Sequence, residues 1–216
     1  METPEEYIQR TESAVRKLFE GIDEYTSILR RHRLPGFSSE YGDDAAFQSK
    51  YEAWLLENES AIQKRLEAER QYLSETFAQG TLCGALLQVA AKAIECYSEN
   101  EAIPEGWCEF IRPNNKSARF CIGRKIRGVP LGLVIYAARN QHTHFEDSEL
   151  REPNCEVFRR LAENHGLKSE EPFVDPAFDL ANRGLVSYAS NCTALMEWRN
   201  YSSYEADIRA LLQSNQ

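Results

Sequence analysis

Long apolar runs are missing from this chain. No window of its 216 residues holds the eighteen consecutive apolar residues that would indicate a membrane-spanning helix. The N-terminal stretch METPEEYIQRTESAVRKLFE is charged and amphipathic, and it lacks the apolar core of a secretory signal peptide. We therefore expect a cytoplasmic protein without a membrane partner.

Metal-binding and common hydrolase signatures are also missing. The six cysteines include no CxxC pair, and a chain of this length without a secretion signal does not need disulfides, so buried free thiols are the favoured interpretation. No pair of cysteines has the spacing of zinc ligands, and we expect neither a metal nor another cofactor. The sequence has no GxxxxGK[ST], GxSxG or HExxH motif, which argues against the enzyme classes that carry them.

Charge is unevenly distributed along the chain. The net charge is −9, yet residues 105–145 carry seven basic residues and only two acidic ones. A basic segment in an acidic protein favours a polyanion such as RNA as its ligand. The alternative is a surface segment that pairs with acidic helices of the same chain.

Apolar residues recur at three- and four-residue spacing along most of the first half. This periodicity predicts a helix over residues 5–33 and a second one over about 45–78. A more apolar central helix is predicted over 82–97, separated from the second helix by Gly80. Beyond it, short apolar runs at 107–110 and 118–122 flank the turn-like RPNNKS and predict a small β-hairpin insert.

The second half also reads as helical. Pro130 is suited to the first position of a buried helix that continues through LGLVIYAARN. Further helices are predicted over 148–165, where Pro153 delays the start, and over 178–204 and 208–212. Together these elements predict an all-α bundle of five to seven helices.

The chemistry of greatest interest lies in RNQHTH, residues 139–144. Histidine is suited to moving a proton near neutral pH, and arginine is suited to holding a phosphate. On a regular helix, Arg139 and His144 would be separated by a rotation of about 140° and a rise of about 7.5 Å. They converge only if the helix ends or distorts there, or if a second copy of the motif meets the first. His142 and His144 would point in nearly opposite directions on a helix, so they are not a metal-ligand pair.

These residue types suit RNA cleavage without a metal. His144 would deprotonate a 2′-hydroxyl, and Arg139 would stabilise the charge that builds on the phosphate oxygens. Asn140 would orient one or both. The products would be a 2′,3′-cyclic phosphate and a 5′-hydroxyl.

The same residues resemble the R-x4-6-H motif of the HEPN superfamily, with Asn140 after the arginine and the aromatic Phe145 after the histidine. The resemblance implies an all-α domain over 79–216, with 1–78 as an N-terminal helical extension. It also implies a homodimeric, metal-independent endoribonuclease of toxin or defence type, with RNA as substrate and an antitoxin or regulatory protein as a further partner.

By position in the motif, the resemblance assigns Arg139, Asn140 and His144 as catalytic. The nearby basic residues Arg124, Lys125 and Arg127 are expected to steer RNA to this site. His142 occupies a variable position of the motif, and we include it among the residues expected to contact RNA.

Two alternatives stay open. Arg160 and His165 in RRLAENH repeat the same spacing, although that pair closes a predicted helix just before Gly166. Alternatively, Arg139 forms a salt bridge with an acidic residue of the following segment (Glu146, Asp147 or Glu149) and His144 merely ends a helix. The chain would then be a catalytically inactive HEPN-like module that binds or regulates a partner protein.

Overall fold

The chain folds mainly as helix in a computed structural model that describes residues 3–33, 36–39, 44–145, 150–163 and 173–213. Helices account for 68% of the chain and strands for 2%, which confirms the predicted all-α class. The seven α-helices within the described ranges are α1 Pro4–Arg31, α2 Asp44–Glu57, α3 Glu59–Tyr97, α4 Leu131–Thr143, α5 Asn154–Glu163, α6 Ala189–Leu195 and α7 Tyr201–Gln213.

Shorter elements fill the stretch between α3 and α4. Two 3₁₀ helices span Glu105–Trp107 and Lys116–Phe120. Strands β1 (Lys125–Ile126) and β2 (Val129–Pro130) then pair antiparallel, with Ile126 opposite Val129.

The residues form two compact units. One contains residues 1–20 and 80–216, and the other contains residues 21–79. Both divisions fall inside a helix, one in α1 and one in α3. The first twenty residues, which sequence analysis places in the N-terminal extension, therefore belong to the larger unit.

The larger unit is organised around α4. Eight of the thirteen residues of this helix are buried, and it packs against α5, α6 and the 3₁₀ helix Lys116–Phe120. Gly132 permits the last contact, because a Cβ atom there would lie 2.4 Å from the carbonyl oxygen of Phe120. Full burial of each large apolar side chain contributes about 1.5–3 kcal/mol, so burial holds α4 firmly in place.

The start of α1 is held by a reciprocal cap. The amide of Thr3 donates to a carboxylate oxygen of Glu6 at 2.8 Å, and the amide of Glu6 donates to the hydroxyl of Thr3 at 3.2 Å. This capping box satisfies amides that have no partner within the helix. It explains why α1 begins at Pro4, one residue before the predicted start.

The smaller unit, residues 21–79, contains a cluster of packed aromatic rings. The ring of Phe37 lies 5.3 Å from that of Tyr51 and 5.7 Å from that of Trp54, between ring centroids. Leu56 and Leu73 stay exposed in this unit. Its apolar surface is therefore only partly buried.

The predicted break at Gly80 is wrong. The helix α3 runs through Gly80, and the interruption lies instead at Asn58, whose side-chain amide donates to the carbonyl of Trp54 at 2.8 Å. A glycine inside a helix costs only about 1 kcal/mol, which tertiary packing easily offsets. Asparagine competes for backbone carbonyls and so favours helix ends.

The predicted hairpin is displaced, and the last predicted helix is divided. Residues 107–110 and 118–122 form no strands, and the two-residue strands follow them instead. The range 178–204 contains irregular chain before α6 and a break before α7. Side-chain turns explain the irregular part: Asp179 accepts from the amide of Ala181, and Asn182 accepts from the amide of Gly184.

The remaining helix predictions are confirmed. The helix after Pro130 exists, with Pro130 as its N-cap rather than its first residue. The helix predicted over 148–165 begins only at Asn154, directly after Pro153.

All six cysteines are free thiols; Cys83 and Cys192 are buried, whereas Cys96 and Cys108 are exposed.

One helix, α3, is long and apolar enough to cross a membrane by length and composition. Of its most apolar window, 56% is buried inside the protein. A buried core helix passes the same test, so this is weak evidence for a membrane. The cytoplasmic location and the absence of a membrane partner stay predictions.

We predict opposite effects of alanine at two glycines of α3. Gly80→Ala should raise the free energy of unfolding by up to about 1 kcal/mol, because the new Cβ would lie 3.9 Å from its nearest neighbour and alanine favours helix. Gly84→Ala should lower it by about 1–3 kcal/mol, because the Cβ would lie 2.1 Å from ring atoms of His142. Urea unfolding measures both changes.

A double variant identifies the cause. His142→Ala removes the obstructing ring, so Gly84→Ala should cost less in that background than in the wild type. An equal cost in both backgrounds would show that the ring of His142 is not what Gly84 accommodates.

Candidate functional site

The last turns of α4 carry the motif residues, and the side chain of Arg139 is mostly buried. Its Nη2 atom lies 3.1 Å from Oε1 of Glu95 on α3, and 17% of its side chain is exposed. Its guanidinium also lies 5.7 Å from the ring centroid of Tyr136. The alternative partners predicted for it, Glu146, Asp147 and Glu149, lie outside the described residues.

The Arg139 guanidinium is not fully satisfied. Its Nε atom is buried and has no hydrogen-bond partner. Buried polar atoms are nearly always paired, so each exception requires an explanation. A guanidinium has five N–H donors, and Glu95 occupies only part of that capacity. The guanidinium therefore has hydrogen-bonding capacity beyond its pair with Glu95.

Asn140 faces a different neighbour. Its Nδ2 atom donates to Oδ1 of the buried Asn154 at 3.2 Å. Asn154 begins α5, so this contact ties the motif to the next helix. Asn140 is half-buried and points toward α5, whereas Arg139 contacts α3.

His144 lies where α4 ends. It occupies the C-cap position with φ −117° and ψ 35°, and its amide donates to the carbonyl of Asn140 at 3.0 Å. Its side chain is exposed. The backbone thus leaves the helical conformation at His144. A helix end at this position is one of the conditions under which Arg139 and His144 were expected to converge.

His142 is not at the surface in the way an RNA-contacting residue would be. Its Nδ1 atom lies 2.9 Å from the hydroxyl of Ser187, and its ring packs directly on the backbone of Gly84. Burial lowers the pKa of His142 below its usual 6.5. Its contacts are those of a residue that joins α4 to α3 and to the chain before α6.

Two residues of this region went unnoticed in the sequence. The buried Gln141 accepts from the amide of Tyr188 at 3.0 Å and donates to the carbonyl of Val186 at 3.0 Å. Glu95 is the partner of Arg139. Glu95 is the one carboxylate within the apolar run LCGALLQVAAKAIECY. Because a buried charge needs a partner, this position predicts an ion pair for Glu95. No comparable signal marked Gln141.

The three basic residues expected to steer RNA differ in their surroundings. Arg124 forms a two-pronged ion pair with Asp207, with both N–O distances at 2.8 Å, and this pairing raises the pKa of the guanidinium. Arg127 contacts Asp175 at 2.8 Å and the carbonyl of Leu161. Lys125 is exposed on β1. Of the three, Lys125 is the best placed to attract a phosphate.

The alternative motif copy has a structural arginine. Arg160 lies 2.6 Å from a carboxylate oxygen of the buried Glu156, donates to the carbonyl of Gly106, and stacks over Trp107 at 4.3 Å. His165 lies outside the described residues. Arg160 is thus largely committed to holding α5 against the 3₁₀ helix that contains Trp107.

Metal ligands do not converge within the described part of the chain. No group of three or more histidine, cysteine, aspartate or glutamate side chains there is arranged to hold an ion. The expectation of a metal-independent site stays a prediction.

Comparison with known proteins gives no family assignment. The chain matches no protein-family model, no curated protein and no solved structure. The HEPN resemblance therefore rests on the motif residues themselves.

We predict that Arg127 stabilises the fold and that Lys125 does not. Arg127→Ala removes charged hydrogen bonds that are about four-fifths buried, and should lower the free energy of unfolding by about 2 kcal/mol. Lys125→Ala should change it by less than about 0.5 kcal/mol, because the side chain is exposed. Equal effects in urea unfolding would contradict this distinction.

His142 should make stability pH-dependent. Because burial lowers its pKa, the unfolded chain binds the proton more readily than the folded protein does. The contribution of the neutral ring is complete above about pH 6.5 and is lost as the pH falls through the lower, folded-state pKa. Thermal unfolding between about pH 7.5 and 5 should therefore show a smaller loss of stability in His142→Gln than in the wild type. Parallel curves would mean that this ring does not titrate with folding.

Proposed function

We propose that this chain is a metal-independent endoribonuclease of toxin or defence type that acts as a homodimer. The observation that carries the proposal is the incompletely paired guanidinium of Arg139, close in sequence to the exposed His144 at the end of α4. Unpaired donors on a partly buried cation suit an anionic ligand. An exposed histidine suits a general base that must reach a substrate hydroxyl.

In the proposed reaction, Arg139 binds the scissile phosphate and His144 accepts the proton of the adjacent 2′-hydroxyl. The 2′-oxygen attacks phosphorus, and the bond to the 5′-oxygen breaks. The 5′-oxygen takes up a proton, which His144 of a second copy supplies across the dimer. The products are a 2′,3′-cyclic phosphate and a 5′-hydroxyl, and no metal or cofactor enters the balance.

Glu95 has a defined place in this proposal. It bonds Nη2 of Arg139, and the remaining donors of the guanidinium are those proposed to bind the phosphate. Glu95 thus acts as a positioning residue that orients the guanidinium. Asn140 bonds Asn154 instead and joins the end of α4 to α5.

A digestion in EDTA tests the activity. A pool of tRNA, messenger RNA and ribosomal RNA is incubated with the wild type, His144→Ala, Arg139→Ala and Arg139→Lys, and the new RNA ends are mapped. We expect EDTA-resistant cleavage with 2′,3′-cyclic ends in the wild type. Each of the three variants should lower the rate by at least about 100-fold, Arg139→Lys included because lysine lacks the planar fork.

Matched controls separate the site from general damage. His32→Ala removes an exposed histidine from the end of α1 and should leave cleavage unchanged. Arg160→Ala tests the second motif copy and should lower stability rather than abolish cleavage of the folded fraction. Cleavage that persists in both His144→Ala and Arg139→Ala would contradict the assignment of these residues.

The second candidate function is a non-catalytic binding module, and the ion pair between Arg139 and Glu95 favours it. Residues 139–142 each contact a neighbouring part of the chain, which suits a purely structural role. This alternative predicts no cleavage by the wild type under any metal condition. It also predicts that Glu95→Gln and Arg139→Ala lower the unfolding temperature by similar amounts, since each breaks the same pair.

A further inference from the structure

A polar cavity lies beside the candidate site, between the C-terminal end of α3 and the 3₁₀ helix Lys116–Phe120. Its volume is about 660 Å³. Cavities of about 300–1,000 Å³ are the usual size of small-ligand sites. Three basic residues line this one, Lys92, Lys116 and Arg119, together with acidic and amide side chains.

The walls of this cavity are held in place by hydrogen bonds between its two sides. Arg119 donates from Nη1 to the carbonyl of Glu95 at 2.9 Å. Ser98 donates to the carbonyl of Arg119 at 2.9 Å, and Asn100 donates to the carbonyl of Ala118 at 2.8 Å. The 3₁₀ helix is therefore fixed to the end of α3, and the cavity is formed before any ligand arrives.

One wall connects the cavity to the motif. Glu95 lines the cavity and also contacts Arg139 through Oε1. Its other oxygen, Oε2, lies 3.8 Å from Nζ of Lys92. Glu95 therefore lies between the cavity and the guanidinium proposed to hold the scissile phosphate.

The cations of the cavity are unevenly committed. Arg119 is partly used by the carbonyl of Glu95, and Lys92 faces the Glu95 carboxylate. Within the described ranges, no acidic side chain forms an ion pair with Lys116, which is exposed at the rim. Lys116 can therefore bind a phosphate without giving up an ion pair within the described ranges.

The acidic and amide side chains of the cavity are suited to form hydrogen bonds with the edge of a nucleobase. Glu99 and Glu101 are exposed carboxylates that accept hydrogen bonds, and Asn114 and Asn115 add amides that both donate and accept. Carboxylates accept from base amino groups, and single-stranded RNA is read through hydrogen bonds to its exposed base edges. The mixture of three cations and three carboxylates thus fits a ligand that presents both a phosphate and an amino-bearing base.

We propose that this cavity binds one nucleotide of single-stranded RNA, next to the cleavage site, and this inference rests on the proposed function. The phosphate engages Lys116 and Arg119. The base points toward Glu99 and Glu101, which favours adenine, cytosine and guanine over uracil. Uracil has no amino group, and its single N3–H donor lies between two carbonyl oxygens that the carboxylates repel.

Binding of a non-cleavable RNA tests this independently of catalysis. Fluorescein-labelled 2′-O-methyl hexamers of adenosine, cytidine or uridine are titrated with the full chain in EDTA, and Kd is measured by anisotropy at several salt concentrations. Lys116→Ala should weaken binding of the adenosine hexamer about three- to tenfold. It should also reduce the salt slope of log Kd by about 0.7, the value for one lost phosphate contact on a single strand.

Two further variants sharpen the result. Lys17→Ala removes an exposed lysine of α1 and should leave both Kd and the salt slope unchanged. The double variant Glu99→Gln/Glu101→Gln should reduce the preference of the wild type for adenosine and cytidine over uridine. Equal Kd values for wild type and Lys116→Ala, or equal wild-type affinity for all three hexamers, would overturn the inference.

The binding assay and the nuclease assay test the two proposals separately. Binding that depends on Lys116 without any RNA cleavage would support the cavity assignment and refute the nuclease. Cleavage that depends on His144, together with binding that ignores Lys116, would support the nuclease and refute the cavity assignment.

Discussion

Burial of α4 is the constraint on which the rest of this structure depends. Its apolar residues fill the centre of the larger unit, and Gly132 lets its first turn approach the backbone of Phe120. Once this helix is placed, its last turns necessarily face several elements at once. The polar residues there are used accordingly: Arg139 bonds α3, Gln141 bonds the chain before α6, and His144 is exposed at the helix end.

The ion pair between Arg139 and Glu95 has one role in the stability of the fold and another in the proposed chemistry. The carboxylate neutralises part of a cation that would otherwise lie mostly buried without compensation, which favours folding. The same carboxylate leaves Nε of the guanidinium buried without a hydrogen-bond partner, and this is the observation on which the proposed phosphate contact rests. Because Glu95 also lines the polar cavity, a nucleotide bound at Lys116 and Arg119 would share this electrostatic environment.

Local signals failed where tertiary contacts outweighed them. Gly80 reads as a helix breaker, yet α3 passes through it because packing offsets a cost of about 1 kcal/mol. Residues 178–204 carry helical spacing, yet Asp179 and Asn182 bond nearby amides and form turns before α6. Pro130 and Pro153 marked the helix starts to within one residue, because the constraint that proline places on a helix start is local and strong: Pro130 is the N-cap of α4 rather than its first residue, and α5 begins directly after Pro153.

The sequence by itself determined the all-α class, the buried helix after Pro130 and the set of residues capable of proton and phosphate chemistry. These follow from periodicity and side-chain type, which are local properties. Only the tertiary structure decided that Arg139 pairs with Glu95, 44 residues away, and that His142 is packed on Gly84 while His144 is exposed. Side-chain partners depend on how helices are brought together, and one-dimensional spacing contains no information about which helix a polar side chain will meet.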